Sequence, residues 1–389
     1  MKLPARAFWR TFHREWRRIS ASRFLFWASG PAPVLLFLLT SAVFQQEVMR
    51  ELPVAVVDQD QSALSRQMVR LLDATASLHV AEVFADPADA EYLVRKGSIY
   101  GFLVIPRGLE SDVLRGERAK VLGFYNAAFL SAGSVANREF RTVMATLSYG
   151  IKQQRFARHG VTAAPLEPVR VQSTALFNPQ LNYAYFLLVA VLPALLQLFI
   201  ALVAVEAVGT ELRWGTAAEW IAQAENRPVI AVLGKVLPYT LLSLVTAVVM
   251  ITILFRLVDV PLRGSLLPIA MASLLLVLSY EGIGFLLVAL TANLRMATSL
   301  AAFYTGPALA YMGISFPQMG MPAFGQFWGN LLPVTHYVRL LVGQGIRGDD
   351  WLTALPDLGR LALFVLVPWL LAMIRIGPVL RNSRYWGRT

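Results

Sequence analysis

The sequence predicts a polytopic α-helical membrane protein with six transmembrane helices, an inserted external α/β domain and an N-terminal interfacial amphipathic helix. Hydrophobic residues make up 56% of the 389 residues and charged residues only 15%, whereas soluble proteins carry about 25% charged residues. Six apolar stretches are long enough to cross a bilayer, which needs about 20 residues per helix. A polar segment, residues 45–182, separates the first stretch from the other five. This pattern excludes a single compact soluble enzyme.

The net charge of +11 is concentrated at the two ends of the chain. Residues 1–23 hold seven basic side chains and one acid, and the last 15 residues hold Arg375, Arg381, Arg384 and Arg388. A charge confined to the tails indicates topology rather than nucleic-acid binding, so we expect no nucleic-acid partner. Cysteine is absent, which excludes disulfides and thiolate metal sites, and we expect no bound metal.

Residues 1–23 read as a cytoplasmic amphipathic helix that lies in the membrane interface. At about 100° per residue the aromatic side chains share one arc and the arginines the other. We expect the aromatics to enter the acyl boundary and the arginines to contact anionic lipid headgroups. The alternative is a basic tail that only sets topology. The membrane-interface residues are Phe8, Trp9, Arg10, Phe12, Arg14, Trp16, Arg17 and Arg18.

The first transmembrane helix is predicted at residues 24–44, which is too long for the 7–15 apolar residues of a signal peptide. Tails and short loops on the side of both termini carry fourteen Lys and Arg residues, against four on the other side. Positive charge stays on the cytoplasmic side. We therefore expect both termini to be cytoplasmic and residues 45–182 to be external.

The external segment, residues 45–182, has 15 basic and 14 acidic residues and no apolar run that could span. Asp60 and Ser62 mark a helix start, and further helical patterns appear at Pro87–Lys96 and Leu109–Leu114. A long helix over Ser131–His159 ends at Gly160. The helical patterns alternate with strand-like runs, which predicts a small α/β domain. These runs are Leu52–Asp58, Leu78–Phe84, Ile99–Ile105 and Ala119–Tyr125.

Residues 183–380 hold the other five predicted transmembrane helices, and residues 381–389 form a basic cytoplasmic tail. The sixth helix is the least apolar, since Arg360 and Arg375 must reach opposite interfaces. The five segments are Tyr183–Val205, Val229–Phe255, Leu266–Leu290, Met296–Phe316 and Leu358–Leu380.

Five motifs, in order along almost the whole chain, carry a family resemblance. They are VVDQDQSALSR (56–66), FNPQLNYAYF (177–186), GKVLPY (234–239), FPQMGMP (316–322) and LPVTHYVRLLVGQGIRG (332–348). Together they resemble the ABC transporter type-2 permease family, in the subgroup with a large external domain after the first membrane helix.

The resemblance implies a permease subunit of an ATP-driven exporter in a bacterial inner membrane. Two permeases, either two copies or two related chains, would form the pathway, and separate ABC ATPase subunits would hold ATP and Mg. A possible periplasmic adaptor would bind the external domain. The sequence lacks the phosphate-binding pattern GxxxxGK[ST], because Gly234-Lys235 has neither the earlier glycine nor the following Ser or Thr. We therefore expect no cofactor and no ATP hydrolysis in this chain.

Residues 206–228 form the longest cytoplasmic loop and contain ELRWGTAAEW. Similar segments in the family form a short helix that docks on the ATPase, with an acid, a Gly-Thr pair and a second acid. Trp214 and Trp220 would anchor such a helix. The alternative is an ordinary polar connector. The candidate ATPase-coupling residues are Glu211, Arg213, Trp214, Gly215, Thr216, Glu219 and Trp220.

The region 317–356 would, by the resemblance, re-enter the membrane from outside and help to gate the pathway. Backbone of this kind survives at membrane depth only when buried in protein or lining water. His336 with Asp349 and Asp350 lacks metal-ligand spacing, so we expect a structural role. The candidate gate residues are Phe316, Pro317, Pro322, Pro333, Thr335, His336 and Tyr337.

Glu281 lies near the middle of the fourth apolar segment and should face protein or water, because a charged group facing lipid is costly. Three other functions compete with ATP-driven export. An ion-coupled carrier could use Glu281, and a membrane-anchored receptor or scaffold would explain the external domain but not five further helices. A membrane enzyme would need convergent catalytic groups, which are not visible. Aromatic-rich apolar helices suit a hydrophobic or amphipathic cargo, such as a drug, lipid or polysaccharide.

Overall fold

A computed structural model describes residues 5–44, 50–115, 117, 119–126, 130–159 and 182–387. The chain forms two compact units, one made of residues 1–45 and 175–389 and the other of residues 46–174. The predicted helix stop at Gly160 and the first five residues of the motif FNPQLNYAYF lie outside the described residues.

The first unit begins with three helices. Helix α1 covers Ala5–Ala21, α2 covers Arg23–Ser29 and α3 covers Pro31–Val43. Ser22 caps α2 by accepting a hydrogen bond from the backbone N–H of Leu25 at 3.4 Å. The axes of α2 and α3 differ by 44°, because Gly30 interrupts the helix and Pro31 cannot donate to the preceding turn. The predicted first span is therefore bent rather than straight.

Four described helices are long and apolar enough to cross a membrane, and the bent pair α2 and α3 would make a fifth. With the first unit mostly helical, these spans make the chain a polytopic helical membrane protein. The first four helices from residue 182 onward, numbered after the four helices of the second unit, are α8 (Tyr183–Arg213), α9 (Ala217–Gln223), α10 (Pro228–Thr252) and α11 (Leu266–Thr291). A π-helical turn, Ile253–Leu257, extends α10.

The predicted span Met296–Phe316 is not one helix. Helix α12 covers Leu294–Thr305 and the short α13 covers Ala308–Tyr311. Pro307, between them, has no backbone N–H to continue the helical ladder. At 12 residues α12 is too short to cross a bilayer, which needs about 20.

The chain then folds through short elements before the final long helix. Helix α14 covers Ala323–Asn330 and α15 covers Pro333–Val342, followed by a π-helical turn at Gly343–Arg347. Helix α16, Leu355–Arg381, begins three residues before the predicted sixth span and holds Pro368 and Pro378 inside it. The predicted gate region 317–356 is thus helical over much of its length.

Helix α11 packs closely against α8 and α16 at two glycines. A Cβ on Gly284 would lie 2.6 Å from the Cβ of Ala204, and one on Gly282 would lie 2.8 Å from the Trp369 ring. Small residues at such positions let membrane helices approach closely, where van der Waals packing replaces the hydrophobic effect. These contacts place α11 at the centre of the helical core.

The second unit contains a four-stranded sheet in the order β2-β1-β3-β4. Strand β1 (Leu52–Asp58) pairs in parallel with β2 (Leu78–Phe84) and β3 (Gly101–Ile105), and β4 (Leu122–Tyr125) is antiparallel to β3. The helices are α4 (Ala63–Asp73), α5 (Pro87–Lys96), α6 (Leu109–Arg115) and α7 (Leu130–His159).

Alternate residues of β1 pack into two different hydrophobic cores, one on each face of the sheet. Val54 and Val56 pack in a cluster with residues of α4 and α7, whereas Ala55 and Val57 pack in a cluster with residues of α5. Successive side chains of a strand point to opposite faces, so helices cover both faces of this sheet. A strand buried on both sides reads as a continuous apolar run, as LPVAVVD does.

Candidate functional site

Glu211 lies at the C-terminal end of α8 and is fully buried, although the sequence places it in a cytoplasmic loop. Helix α8 continues to Arg213, so the acid belongs to the last helical turn. Its carboxylate accepts two hydrogen bonds from Arg14 at 2.6 and 3.0 Å and one from Arg18 at 2.7 Å. The two-pronged Arg14 contact fixes both position and orientation of the carboxylate.

Lys235 of α10 forms ion pairs with Glu211 and with Glu15 of α1. Its Nζ lies 2.5 Å from Glu15 Oε2 and 2.9 Å from Glu211 Oε1, and the lysine and both acids are fully buried. The Tyr239 hydroxyl donates to Glu15 Oε1 at 2.7 Å. The ring of Trp220 lies 4.7 Å from Nζ, within range of a cation–π contact.

We call Arg14, Glu15, Arg18, Glu211 and Lys235 the ion cluster. Burial alone would lower the pKa of Arg14. The hydrogen bond that Arg14 donates to Glu211 and the attraction between their charges raise that pKa instead. Buried charges are tolerated only when paired and hydrogen-bonded. The cluster meets both conditions and ties together α1, α8 and α10.

The turn between α8 and α9 is bound to the same cluster. Gly215 has a φ of 71°, a left-handed conformation that suits glycine. The Thr216 hydroxyl donates to Glu211 Oε2. The backbone N–H of Gly387, near the C-terminus, donates to the carbonyl of Leu212 at 3.0 Å. The start of α9 is therefore held on the last turn of α8.

The seven candidate coupling residues separate into buried and accessible groups. Trp214 is 70% exposed whereas Trp220 is fully buried and donates from Nε1 to the Ala231 carbonyl at 3.1 Å. Arg213 and Glu219 are exposed, and the Arg213 guanidinium lies 5.5 Å from the Trp214 ring. The prediction that Trp220 anchors a partner is therefore wrong, because its ring fills the core behind α9. The Glu211 carboxylate is also fully buried, through its ion pairs with Arg14, Arg18 and Lys235.

The predicted membrane-interface residues also differ in their exposure to solvent. Arg10 and Arg17 are exposed, as are Trp9 at 50% and Trp16 at 45%, while Phe8 and Phe12 are half-buried. The ring of Phe12 stacks between those of Phe8 and Trp16, with centroids 6.5 and 6.2 Å apart. The prediction that all four arginines face lipid headgroups is wrong for Arg14 and Arg18, since both bind Glu211.

Sequence reasoning missed Glu15, Lys235 and Tyr239. A detectable signal was present for the first two. Glu15 is the sole acid in residues 1–23 and falls on the aromatic side of the helical wheel, and Lys235 interrupts an apolar run. A charge where the pattern demands an apolar residue indicates a partner elsewhere in the fold.

The predicted gate residues form two groups in the structure. The gate residues that precede α14 are exposed. The gate residues in the first turns of α15 are buried. The exposed residues are Phe316, Pro317 and Pro322. The buried residues are Pro333, Thr335, His336 and Tyr337.

His336 and Arg339 attach α15 to α16. His336 Nδ1 lies 3.4 Å from Asp357 Oδ1, and its Nε2 lies 3.0 Å from the Asn330 carbonyl. Asp357 also accepts hydrogen bonds from Arg339 at 3.1 Å and Arg360 at 2.8 Å. Asp357 was not predicted as a site residue, because its partners come from elements that the sequence does not place together.

The same region makes two further contacts. The Tyr337 hydroxyl lies 3.1 Å from Ser273 Oγ of α11. Asp349 pairs with Arg347 at 2.5 Å rather than with His336. Over the described residues, acids and histidines form no group that could hold a metal ion.

Glu281 is 2% exposed and lies between α11 and α10. Thr240 Oγ1 lies 2.8 Å from Glu281 Oε2 and 3.2 Å from the Val236 carbonyl. Glu281 Oε1 has no hydrogen-bond partner among the described residues. The acid therefore faces protein rather than lipid.

Comparison with known proteins identifies a family. The sequence profile described as "ABC-2 family transporter protein" matches residues 22–374. That match includes the turn between α8 and α9, α10 with Lys235, and the region around α14 and α15.

Two curated Escherichia coli K12 proteins are similar to the chain. "Probable multidrug ABC transporter permease YbhS" is 26% identical over 287 residues, which is 72% of this chain and 71% of that protein. "Inner membrane transport permease YhhJ" is 24% identical over 299 residues, 76% of this chain and 77% of that protein.

Proposed function

This chain belongs to the ABC-2 transporter family, and on that premise we propose that it is the permease subunit of an ATP-driven exporter. The subunit would pair with a second copy or a related permease, and separate ATPase subunits would bind ATP and Mg. It would move a hydrophobic or amphipathic substrate, such as a drug, lipid or polysaccharide, out across the bacterial inner membrane. Both relatives are named as permeases, and one name includes multidrug transport.

The proposal is supported chiefly by the ion cluster, which is joined to the segment that carries the exposed residues Arg213, Trp214 and Glu219. A partner that pushes on this turn moves the end of α8, because Thr216 and Glu211 hold the two together. Lys235 and Glu211 pass that displacement to α10, since their side chains are in contact and buried. Packed elements with paired charges move as units rather than deform continuously.

We also propose a gate at the opposite end of the helices. Asp357 joins α15 to α16 through Arg339, and Tyr337 joins α15 to α11 through Ser273. A joint shift of α8, α10 and α11 would strain the contacts of α15 with α16 and α11. Movement of α14 and α15 requires these contacts to change. We propose that this region forms the external gate.

The second unit, with its two-sided hydrophobic core, would lie on the periplasmic side with both termini cytoplasmic. Its folded surface is proposed to bind a periplasmic adaptor. A pull-down with full-length protein, compared with a variant in which a flexible linker replaces residues 50–159, tests this part. Loss of the adaptor from the shortened chain is expected, and its retention would assign adaptor binding to the membrane portion.

The experiment that tests the function is co-purification with a candidate ABC ATPase subunit co-expressed with this chain. Trp214→Ala combined with Glu219→Gln should reduce the recovered ATPase at least about tenfold, because exposed aromatic anchors dominate such interfaces. Trp351→Ala is the matched control, since Trp351 is 47% exposed but belongs to the predicted gate region 317–356 rather than to the coupling segment. Equal ATPase recovery from the two variants would reject the turn as the coupling surface.

A further inference from the structure

We propose that the groove beside α1 binds the phosphate of an anionic phospholipid headgroup through Arg6, Arg10 and Arg17. The groove has a volume of about 720 Å³ and is lined by one face of α1 together with Gln223 of α9. It lies within the first unit. The proposal rests on the chain being a membrane protein and adds a ligand site to the exporter proposed above.

Helix α1 has three distinct faces. At about 100° per residue, Ala7, Thr11 and Glu15 share the buried face. The aromatic arc, from Phe8 through Phe12 to Trp16 and Trp9, lies next to it. The remaining face carries the basic side chains.

Arg6, Arg10 and Arg17 fall within about 40° of one another on this third face. All three are exposed, and within the part of the chain that the structure describes their guanidinium groups have no hydrogen bond or ion pair. Arg14 and Arg18 differ, because they turn toward Glu211. The groove therefore holds three unneutralised cations, and no acid lines it.

The neighbouring face identifies the ligand as a lipid. Trp9 lines the groove and, with Trp16, is about half exposed at its edge. Tryptophan at a membrane surface places its ring at headgroup depth, and arginine beside it binds lipid phosphate. A phosphate bound by the arginines would leave the acyl chains beside the aromatic arc. An acidic surface on the ATPase would use the same charges but gives no role to the adjoining aromatic arc.

The test is native mass spectrometry of the full-length protein in neutral detergent, titrated with phosphatidylglycerol or phosphatidylcholine. Each cation near an anionic headgroup contributes about fivefold in affinity. The triple variant Arg6→Gln, Arg10→Gln, Arg17→Gln should therefore bind phosphatidylglycerol about 100-fold more weakly. Binding of phosphatidylcholine should change little.

Two controls separate charge loss from misfolding. Arg70, Arg107 and Arg141 are exposed arginines of the second unit, and their triple change to Gln removes the same charge. This variant should retain the lipid. The replacement of Arg6, Arg10 and Arg17 by Lys keeps the charge and should preserve most of the binding. The unfolding temperature should be unchanged in every variant, because none of these side chains packs in a core.

Three outcomes would overturn the proposal. The first is equal phosphatidylglycerol binding by the Gln variant of α1 and the wild type. The second is displacement of the lipid by equimolar inorganic phosphate, which would make the ligand a free anion. The third is unchanged lipid binding together with loss of the ATPase from the Gln variant, which would assign the groove to the partner protein.

Discussion

Lys235 and Glu15 form an ion pair, with 2.5 Å between Nζ and Oε2, although 220 residues separate them along the chain. Both side chains are fully buried. Removing one partner of a buried ion pair is destabilising, because the other charge stays buried and loses its shortest ion pair. The pair therefore links α1 to α10 near the C-terminal end of α8.

Lys235→Met should destabilise the full-length protein by about 3–5 kcal/mol, because Glu15 and Glu211 lose their shared cation. Adding Glu15→Gln should restore part of that loss, since Glu15 would otherwise keep only its longer ion pairs with Arg14 at 3.7 Å and Arg18 at 3.4 Å. Denaturant titration in mixed micelles measures both variants. An unaltered midpoint for Lys235→Met would mean that the cluster does not stabilise the fold.

The two tryptophans of the coupling segment should respond in opposite ways. Trp220→Ala should cost about 3–5 kcal/mol of stability, because it leaves a cavity behind α9. Trp214→Ala should change stability by less than about 0.5 kcal/mol, since the ring is mostly exposed. Thermal unfolding of the two variants side by side checks this. Equal losses would contradict the burial of Trp220.

The second unit should lose stability in acid through Asp60. Burial favours a higher pKa for Asp60, but hydrogen bonds from Ser62 and from the backbone of residues 108–110 lower its pKa below the ordinary 3.8. A carboxyl with a lowered folded-state pKa stabilises the fold above its unfolded pKa, and that contribution disappears as pH falls through the folded pKa.

Asp60→Asn should therefore reduce stability at pH 7 and flatten the decline below about pH 4. The measurement is the unfolding temperature of wild type and variant at a series of pH values. Asp86→Asn is a suitable control, because Asp86 is an exposed helix cap and asparagine caps helices about as well as aspartate. Parallel pH profiles for wild type and Asp60→Asn would contradict the assignment.

Glu281→Gln should preserve both stability and export, whereas Glu281→Leu should lose about 1–3 kcal/mol. Thr240 has one hydroxyl proton and two acceptors, Glu281 Oε2 and the Val236 carbonyl. If Glu281 is a neutral carboxylic acid, its own O–H can donate to Thr240 Oγ1 while the Thr240 hydroxyl donates to the Val236 carbonyl. The amide N–H of a glutamine can replace that donor. Thermal unfolding and export assays distinguish the roles. Loss of export in both variants with stable assembly would instead indicate a place in the transport pathway.

The parts of the fold that follow from local pattern could be predicted from the sequence. Strands β1 and β2 have the bounds that the sequence predicts, because β1 is apolar from Leu52 to Val57 and turn-forming Asp residues lie at or just after the end of each strand. Helix α11 also begins at the predicted Leu266. Breaks were harder to predict, since Gly30 and Pro307 lie inside runs apolar enough to read as continuous spans.

The candidate site depended on contacts that no local pattern reveals. Glu211 could be found from its motif, but its burial follows from Arg14 and Lys235, which lie on other helices. Trp220 looked like a surface anchor because helical periodicity does not say which face of a short helix is covered. The pairing of Asp357 with His336 likewise depends on how α15 and α16 pack.

The proposed function requires this chain to be a transport subunit driven by an ATPase on another chain. Uptake of an amphipathic fluorescent dye into inside-out proteoliposomes tests it most directly, with this chain alone, the ATPase alone and both together. ATP-dependent uptake is expected only when both are present, and this chain alone should hydrolyse no ATP. ATP hydrolysis by the isolated chain, or uptake driven by an ion gradient without the ATPase, would contradict it.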